Sequence, residues 1–278
     1  MKRPIRVVIT SDRHHGSIVG LTPPGFDVTQ EPALESQVPK WRMRRAVWDW
    51  FDAQVKQLGQ VDVLLDNGDA IDGKGQRSGG TEQLFLDRGD QTEMAVYAIN
   101  EHFRGATKFM SFGTSYHVGT EEDWEQGVAQ GVKAEIHSED TLDIRGVKLN
   151  YKHHISGSSI PHGRFTALAR DKLWNTLWSI RGEYPVADVV IRSHVHYFGF
   201  CGVAEWMAFT TPSLQGYGSK FGARRMSGTV DVGFIVMDIT GPGEVNMAAR
   251  VWRAPFKPPT IVEVDDRLQG GIPIVDDE

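Results

Sequence analysis

The chain has 278 residues, enough for one large core or two small ones, and its 40% hydrophobic and 24% charged residues are an ordinary globular balance. A net charge of -6 leaves no global basic field for coating nucleic acid, although a local basic cleft is compatible with it. The single cysteine, Cys201, excludes an intramolecular disulfide and a Cys-rich zinc knuckle.

The opening MKRPIRVVITSD is too quickly charged for a signal peptide, and no apolar run nears the ~18 residues that span a bilayer. A cytoplasmic protein with no membrane partner is therefore expected. Within that opening, IRVVIT (5–10) reads as a first buried strand. Residues 17–40 carry several prolines and no periodicity, which predicts a long loop and a candidate lid or specificity wall. RRAVWDWFDAQVKQLG then sets Val47, Trp50, Phe51, Val55 and Leu58 on one helical face, with Gly59 as the stop.

A second buried strand, VDVLL (61–65), runs into DNGDAIDGKG. A helix is expected over about 92–103, a strand over 107–112, and a helix in EEDWEQGVAQGVKAEI. DTLDIRGVKLNYKHH reads as two strands around a turn at Arg145-Gly146. RFTALARDKLWNTLWSIRG is a further amphipathic helix and ADVVIRSHVH a further buried strand, after which the pattern is strand-like. This order argues for an α/β layered domain with a second, largely antiparallel sheet packed on it. Residues 1–257 read as one domain and 258–278 as a surface or flexible tail.

Four of the buried strands, and the second hairpin strand, end on groups suited to a cation. They lead to Asp12 and His14; to Asp69 and Asp72; to Thr114 and His117; to His153 and His154; and to His194 and His196. A lone histidine is more often a bonded core or surface group, and His102, His137 and His162 are read that way. For the strand-end set, that reading would require several strands each to bury costly charged groups by coincidence. Carboxylates and imidazoles without thiolate suit Mn²⁺, Fe, Zn²⁺ or Ni²⁺. A carboxylate can also bridge two ions ~3.5–4 Å apart, the separation used for in-line displacement at phosphorus.

These residues resemble the motifs of the calcineurin-like metallophosphoesterases. SDRHHG is similar to the S-D-x-H-x-G opening of that family, and GDAID to its G-D-x-x-D motif. SHVH resembles the closing G-H-x-H with Ser193 in place of Gly, and the HH of YKHHIS stands where the family carries His-Gly. Order and spacing agree over about residues 5–240, and the compactness resembles members encoded by bacteriophages. The resemblance implies a metallo-dependent phosphatase fold, a four-layer αββα sandwich of two mixed sheets flanked by helices. It also implies two divalent ions, Mn²⁺ first. Asp12, His14 and His196 would hold one, His153 and His194 the other, and Asp69 would bridge them. The implied activity is hydrolysis of a phosphate ester by in-line attack of a metal-bridging hydroxide. A phosphodiesterase or nuclease acting on nucleotides or nucleic acid ranks first. The alternatives are a phosphomonoesterase acting on small molecules or phosphoproteins, and a degenerate, non-catalytic binding member.

The third motif departs from the family. Where the family has Gly-Asn-His followed by an acid, this chain has Gly113-Thr114-Ser115-Tyr116-His117. Either Thr114 supplies its hydroxyl to the second metal and His117 swings in as general acid, or the second site is one ligand short; the first is expected. His15 is assigned to the rim, His153 is preferred to His154 as ligand, and Asp72 is placed behind a ligand. Lys220, Arg224 and Arg225 lie in the aromatic-basic run LQGYGSKFGARR, and Lys74 and Arg77 in GKGQRSGG. Lys220, Arg224 and Arg77 are candidate substrate contacts, weighed against plain solvated loops. The eight tryptophans read mostly as helix-face or strand core.

Overall fold

Alternation within one strand sets the architecture. In β1 (Ile5–Thr10), Val7 and Ile9 face one way and Val8 the other, and all three are fully buried. A strand buried on both faces needs a layer above it and another below. The computed structural model, which describes residues 3–27, 38–119, 122–217 and 230–253, supplies both.

The first sheet also contains β2 (Val63–Asp66), β3 (Thr107–Ser111), β4 (Glu135–His137), β10 (Val232–Gly241) and β11 (Glu244–Trp252), in the order β11-β10-β1-β2-β3-β4. The second contains β5 (Asp140–Ile144), β6 (Val147–Tyr151), β7 (Val189–Arg192), β8 (Gly199–Gly202) and β9 (Met207–Thr210), in the order β5-β6-β7-β9-β8. The sheets face each other across a core that includes Val7, Ile9, Leu149, Ile191 and Phe209. On the outer side of the first sheet, Val8, Leu64 and Phe234 pack against α1 (Val38–Lys56), α2 (Arg88–Phe103) and α4 (Trp124–Val132). On the outer side of the second, Val190 and Ala208 pack against Leu168 of α5 (Gly163–Ile180). One further helical turn, α3 (Ser115–Val118), follows β3. Helix, sheet, sheet, helix is the four-layer architecture that the motif resemblance implied.

Several sequence expectations need correction. The second sheet is mixed rather than largely antiparallel, because β6, β7 and β9 run parallel. The strands of the last third also divide between the sheets: β10 pairs antiparallel with β1, Ile5 opposite Ile239. The helix expected in EEDWEQGVAQGVKAEI stops at Val132, with Lys133 left-handed at φ 60°, and its last residues form edge strand β4. Helix α2 starts a turn before residue 92, because the Asp87 side chain accepts from the N–H groups of Gly89 and Asp90.

Helix α1 begins at Val38, inside the stretch read as loop. Of that stretch, 28–37 lies outside the described residues, while Val19, Leu21 and Thr22 are fully buried and form wall rather than free loop. The tail 258–278 also lies outside the described residues. Among those described, no helix is long and apolar enough to cross a membrane.

Candidate metal centre

Neighbouring parallel strands deliver their carboxyl ends together. Asp12 and His14 follow β1, Asp69 follows β2, His153 follows β6, and His194 and His196 follow β7. Backbone bonds lock the first two loops to each other: the Asp12 N–H donates to the Gly68 carbonyl (2.9 Å) and the His14 N–H to the Asp69 carbonyl (3.1 Å).

Among the described residues, seven non-glycine positions have φ in the left-handed region, and five of them are Asp12, His14, Asp69, His194 and His196. Each such residue costs about 1–2 kcal/mol. Strain of this kind persists where the surroundings over-determine it, typically at functional sites. It also shortens the strand expected over ADVVIRSHVH: β7 stops at Arg192, and His194 and His196 are turned toward the site by left-handed backbone, at φ 72° and 54°.

The side chains converge. Asp12 Oδ2 accepts from Ser11 Oγ (2.7 Å) and from the His194 N–H (3.2 Å). Asp12 Oδ1 is buried with no hydrogen-bond donor, 3.1 Å from His196 Nε2, 3.9 Å from His14 Nε2 and 4.0 Å from His153 Nε2. His14 Nδ1 lies 2.8 Å from Asp72 Oδ1, which turns its Nε2 toward His196 Nε2 at 3.3 Å. His153 Nδ1 donates to the Asn67 carbonyl (2.7 Å), so in the neutral ring Nε2 is a bare lone pair, 3.1 Å from Asp69 Oδ2. Gly68, at φ 85°, makes room for this ring, because a Cβ there would sit 2.5 Å from His153 Nδ1.

Three triads result among the described residues, Asp12–His14–His196, Asp69–His153–His194 and, sharing His14 with the first, His14–Asp72–His117, and within each the ligand atoms lie within 4.8 Å of one another. Buried lone pairs aimed at common points, with an orphaned carboxylate oxygen among them, leave a demand that a cation meets. The all-oxygen-and-imidazole donor set fits borderline divalent ions.

The electrostatics agree. Burial alone would raise the Asp12 and Asp69 carboxyls. The charges of His196 and His153 hold Asp12 below the usual range, and those of His153 and His117 do so for Asp69. Burial likewise opposes the charge on His153, yet Asp69 and then Asp12 push its imidazole up to about 10. Burial and then the His153 charge push His194 down to about 4. The negative potential that holds a proton on His153 also favours a divalent ion, which competes with that proton.

The third motif sits directly on Asp69. The Thr114 N–H donates to Asp69 Oδ1 (2.7 Å), and its hydroxyl lies 3.1 and 3.2 Å from the two carboxylate oxygens. The Thr114 hydroxyl is thus turned onto the proposed ligand. Helix α3 carries His117 back over the site: its Nδ1 donates to the Asp72 carbonyl (2.8 Å) and its ring centroid is 4.5 Å from that of His14.

One residue escaped the sequence reading. Glu125 of α4 is fully buried, and its two carboxylate oxygens accept from the N–H groups of Ala70 (2.8 Å) and Gly113 (2.5 Å). It thereby joins the loop after Asp69 to the loop before Thr114. Burial and then the Asp69 charge push its carboxyl up to about 8; a cation beside Asp69 would offset that second effect. The signal was present in the pattern, since Glu125 lies on the stripe of Val128, Ala129 and Val132, where an acid has no reason to be unless it is bonded. Glu125→Gln would set an amide NH₂ against one of these N–H donors. The expected result is about a 10–100-fold loss of metal affinity, read by metal titration calorimetry; unchanged affinity would show that the two loops hold without it.

The remaining expected residues fall as follows. His153 is buried in the second triad, whereas His154 is exposed and stacks on His194 at 5.0 Å. His15 is not at the rim: it is fully buried, pinned by its bridge to Ile71. Asp72 stands behind His14. Lys74 is exposed, and Arg77 belongs to the single turn Gln76–Ser78, its side chain outside the description. Lys220, Arg224 and Arg225 lie outside the described residues.

No family model matches the sequence, and no curated protein matches it. Among solved structures, it is similar to a novel archaeal phosphodiesterase at 14% identity, covering 88% of this chain and all of that one, with a TM-score of 0.42. It is also similar to Vps29 complexed with Zn²⁺ from Entamoeba histolytica at 15% identity, over 89% and 99% of the two chains, with a TM-score of 0.41. A predicted phosphoesterase from Streptococcus pneumoniae matches at 12% identity, over 90% and 99%, with a TM-score of 0.36. The chain's own layers and the order of its motifs give it the fold of the calcineurin-like metallophosphoesterases.

Proposed function

We propose that the protein is a two-metal phosphoesterase. Asp12, His14 and His196 would hold one ion and His153 and His194 the other, and Asp69, whose charge also acts on His14, would serve both. The observation that carries this reading is the pair of triads Asp12–His14–His196 and Asp69–His153–His194, four of whose six residues are buried and five left-handed. Ions bound there would lower the pKa of a water and neutralise charge building on the phosphoryl oxygens. Mn²⁺ is the first candidate.

The chain's own groups do the rest. Asp72 orients both histidines at the mouth, its carboxylate facing His14 and its carbonyl accepting from His117. Thr114 and Glu125 fix the orientation of Asp69. With Nδ1 committed to Asp72, His117 can deliver a proton from Nε2 to a leaving oxygen. Burial pushes its imidazole down, which makes the protonated ring a stronger acid. His117→Ala should lower kcat ~10²–10⁴-fold while leaving metal content unchanged; an unaltered rate would remove His117 from the mechanism.

Phosphodiesters of nucleotides or nucleic acid are the proposed substrate class, with Arg77, Lys220 and Arg224 as candidate phosphate contacts. A non-catalytic binding role is the second reading, favoured by the Thr114 hydroxyl being turned onto Asp69. Mn²⁺-dependent turnover of bis-p-nitrophenyl phosphate, compared with the monoester, separates them. Diester preference supports the proposal, monoester preference changes the substrate class, and no turnover by metal-loaded protein favours the binding role.

A further inference from the structure

Helix α5 buries Ala167 and Leu168 in its first half, but farther along it turns polar side chains inward and large apolar ones outward. Its buried positions include Lys172 and Asn175. Lys172 Nζ donates to the Ala187 carbonyl, Asn175 Nδ2 donates to the Pro185 carbonyl, and Asn175 Oδ1 accepts from the Ala187 N–H. Its outward side presents Leu173 (58% exposed), Trp174 (54%), Leu177, Trp178 and Ile180 (76%). At 3.6 residues per turn these five occupy one face. Trp174 and Trp178 are on a helix face, but on the exposed one.

Such a face is expensive in water. Scaled from the side-chain areas of large apolar residues, the five expose roughly 500 Å², near the top of what a monomer carries as its largest apolar patch. Val186, which lines a groove with Leu173, and the nearby Tyr184 are also exposed, and bring the total to roughly 650 Å², within the ~600–1,000 Å² that each partner contributes to a standard interface.

We propose that this face joins two copies of the chain, with α5 packed antiparallel against α5 across a twofold axis near Leu177. An isologous contact must be self-complementary, and this one is. An axis between Thr176 and Leu177 sets Leu173 opposite Ile180 and Trp174 beside Trp178, each contact repeated by the symmetry. A groove beside the ridge, lined by Leu173, Thr176, Val186 and Trp206, receives what the partner's ridge projects. The face lies at the C-terminal end of α5, beside the start of β7, whereas the metal triads lie beyond the end of β7. Dimerisation therefore leaves both sites open and is independent of the activity proposed for them.

Sedimentation velocity of the full chain, from low to high micromolar concentration, tests this. The wild type should be a dimer, and Trp174→Glu and Leu177→Glu should be monomers with unchanged circular dichroism and metal content. Should either variant fail to fold, Ile180→Glu, at the most exposed position of the face, reads the same interface and should likewise give a monomer. A wild-type monomer overturns the proposal, as does a dimer indifferent to all these changes. A monomer that instead floats with anionic vesicles assigns the face to a membrane surface and likewise overturns it.

Discussion

Asp69→Asn should leave the fold intact and the chain unable to hold both metals. Asn tolerates the left-handed backbone that position 69 requires, φ 55°, so the substitution tests charge rather than shape. Removing the carboxylate takes away the strongest attraction on His153, whose imidazole is pushed up to about 10 with Asp69 as its largest favourable partner. Bound metal should fall to at most one equivalent by mass spectrometry. kcat/KM should fall by more than the ~10–100-fold that loss of an outer hydrogen-bond partner costs. Thr114→Ala, which removes only the hydroxyl facing Asp69, should cost less. Retention of two equivalents in Asp69→Asn would mean that another carboxylate is the shared one. Asp12 Oδ1, near nitrogens of both triads, is the alternative.

Arg13→Met should destabilise the protein by ~3–5 kcal/mol, the penalty for leaving a buried carboxylate without its partner. Arg13 and Asp66 are both fully buried and paired at 2.7 Å. The guanidinium also bonds Thr10 Oγ1 (3.0 Å) and lies over the Phe51 ring at 5.7 Å. The pair sits directly behind the loop that carries Asp12 and His14. The double variant Arg13→Met/Asp66→Leu should recover most of the loss, since replacing both partners removes the unpaired charge. Urea unfolding of the three variants reads this cycle. A cost below ~1 kcal/mol for Arg13→Met would place the pair with surface ion pairs in its worth.

How far the sequence carries depends on the kind of physics involved. Strands β1, β2 and β7 are buried on both faces, and continuous apolar runs announce that directly. The hairpin at Arg145-Gly146 was equally plain, with both residues left-handed. The residues that gather at the candidate site were readable because Asp and His at strand ends have few other reasons to be there. What resisted reading is what neighbours decide. His15 and His14 are adjacent and chemically alike, yet only the bridge to Ile71 sends His15 into the core. The left-handed turns at His194 and His196 come from the loop closing on Asp12, to which the His194 N–H donates. Glu125 reached the site from a helix that carried no motif. The outward face of α5 was not legible, because periodicity reveals that a helix has an apolar side without saying which way that side faces.

The most direct test is anomalous diffraction from Mn²⁺-loaded crystals. Two peaks are predicted, one ringed by Asp12, His14 and His196 and the other by His153 and His194, with Asp69 touching both. A single peak, or peaks away from these side chains, would contradict the account.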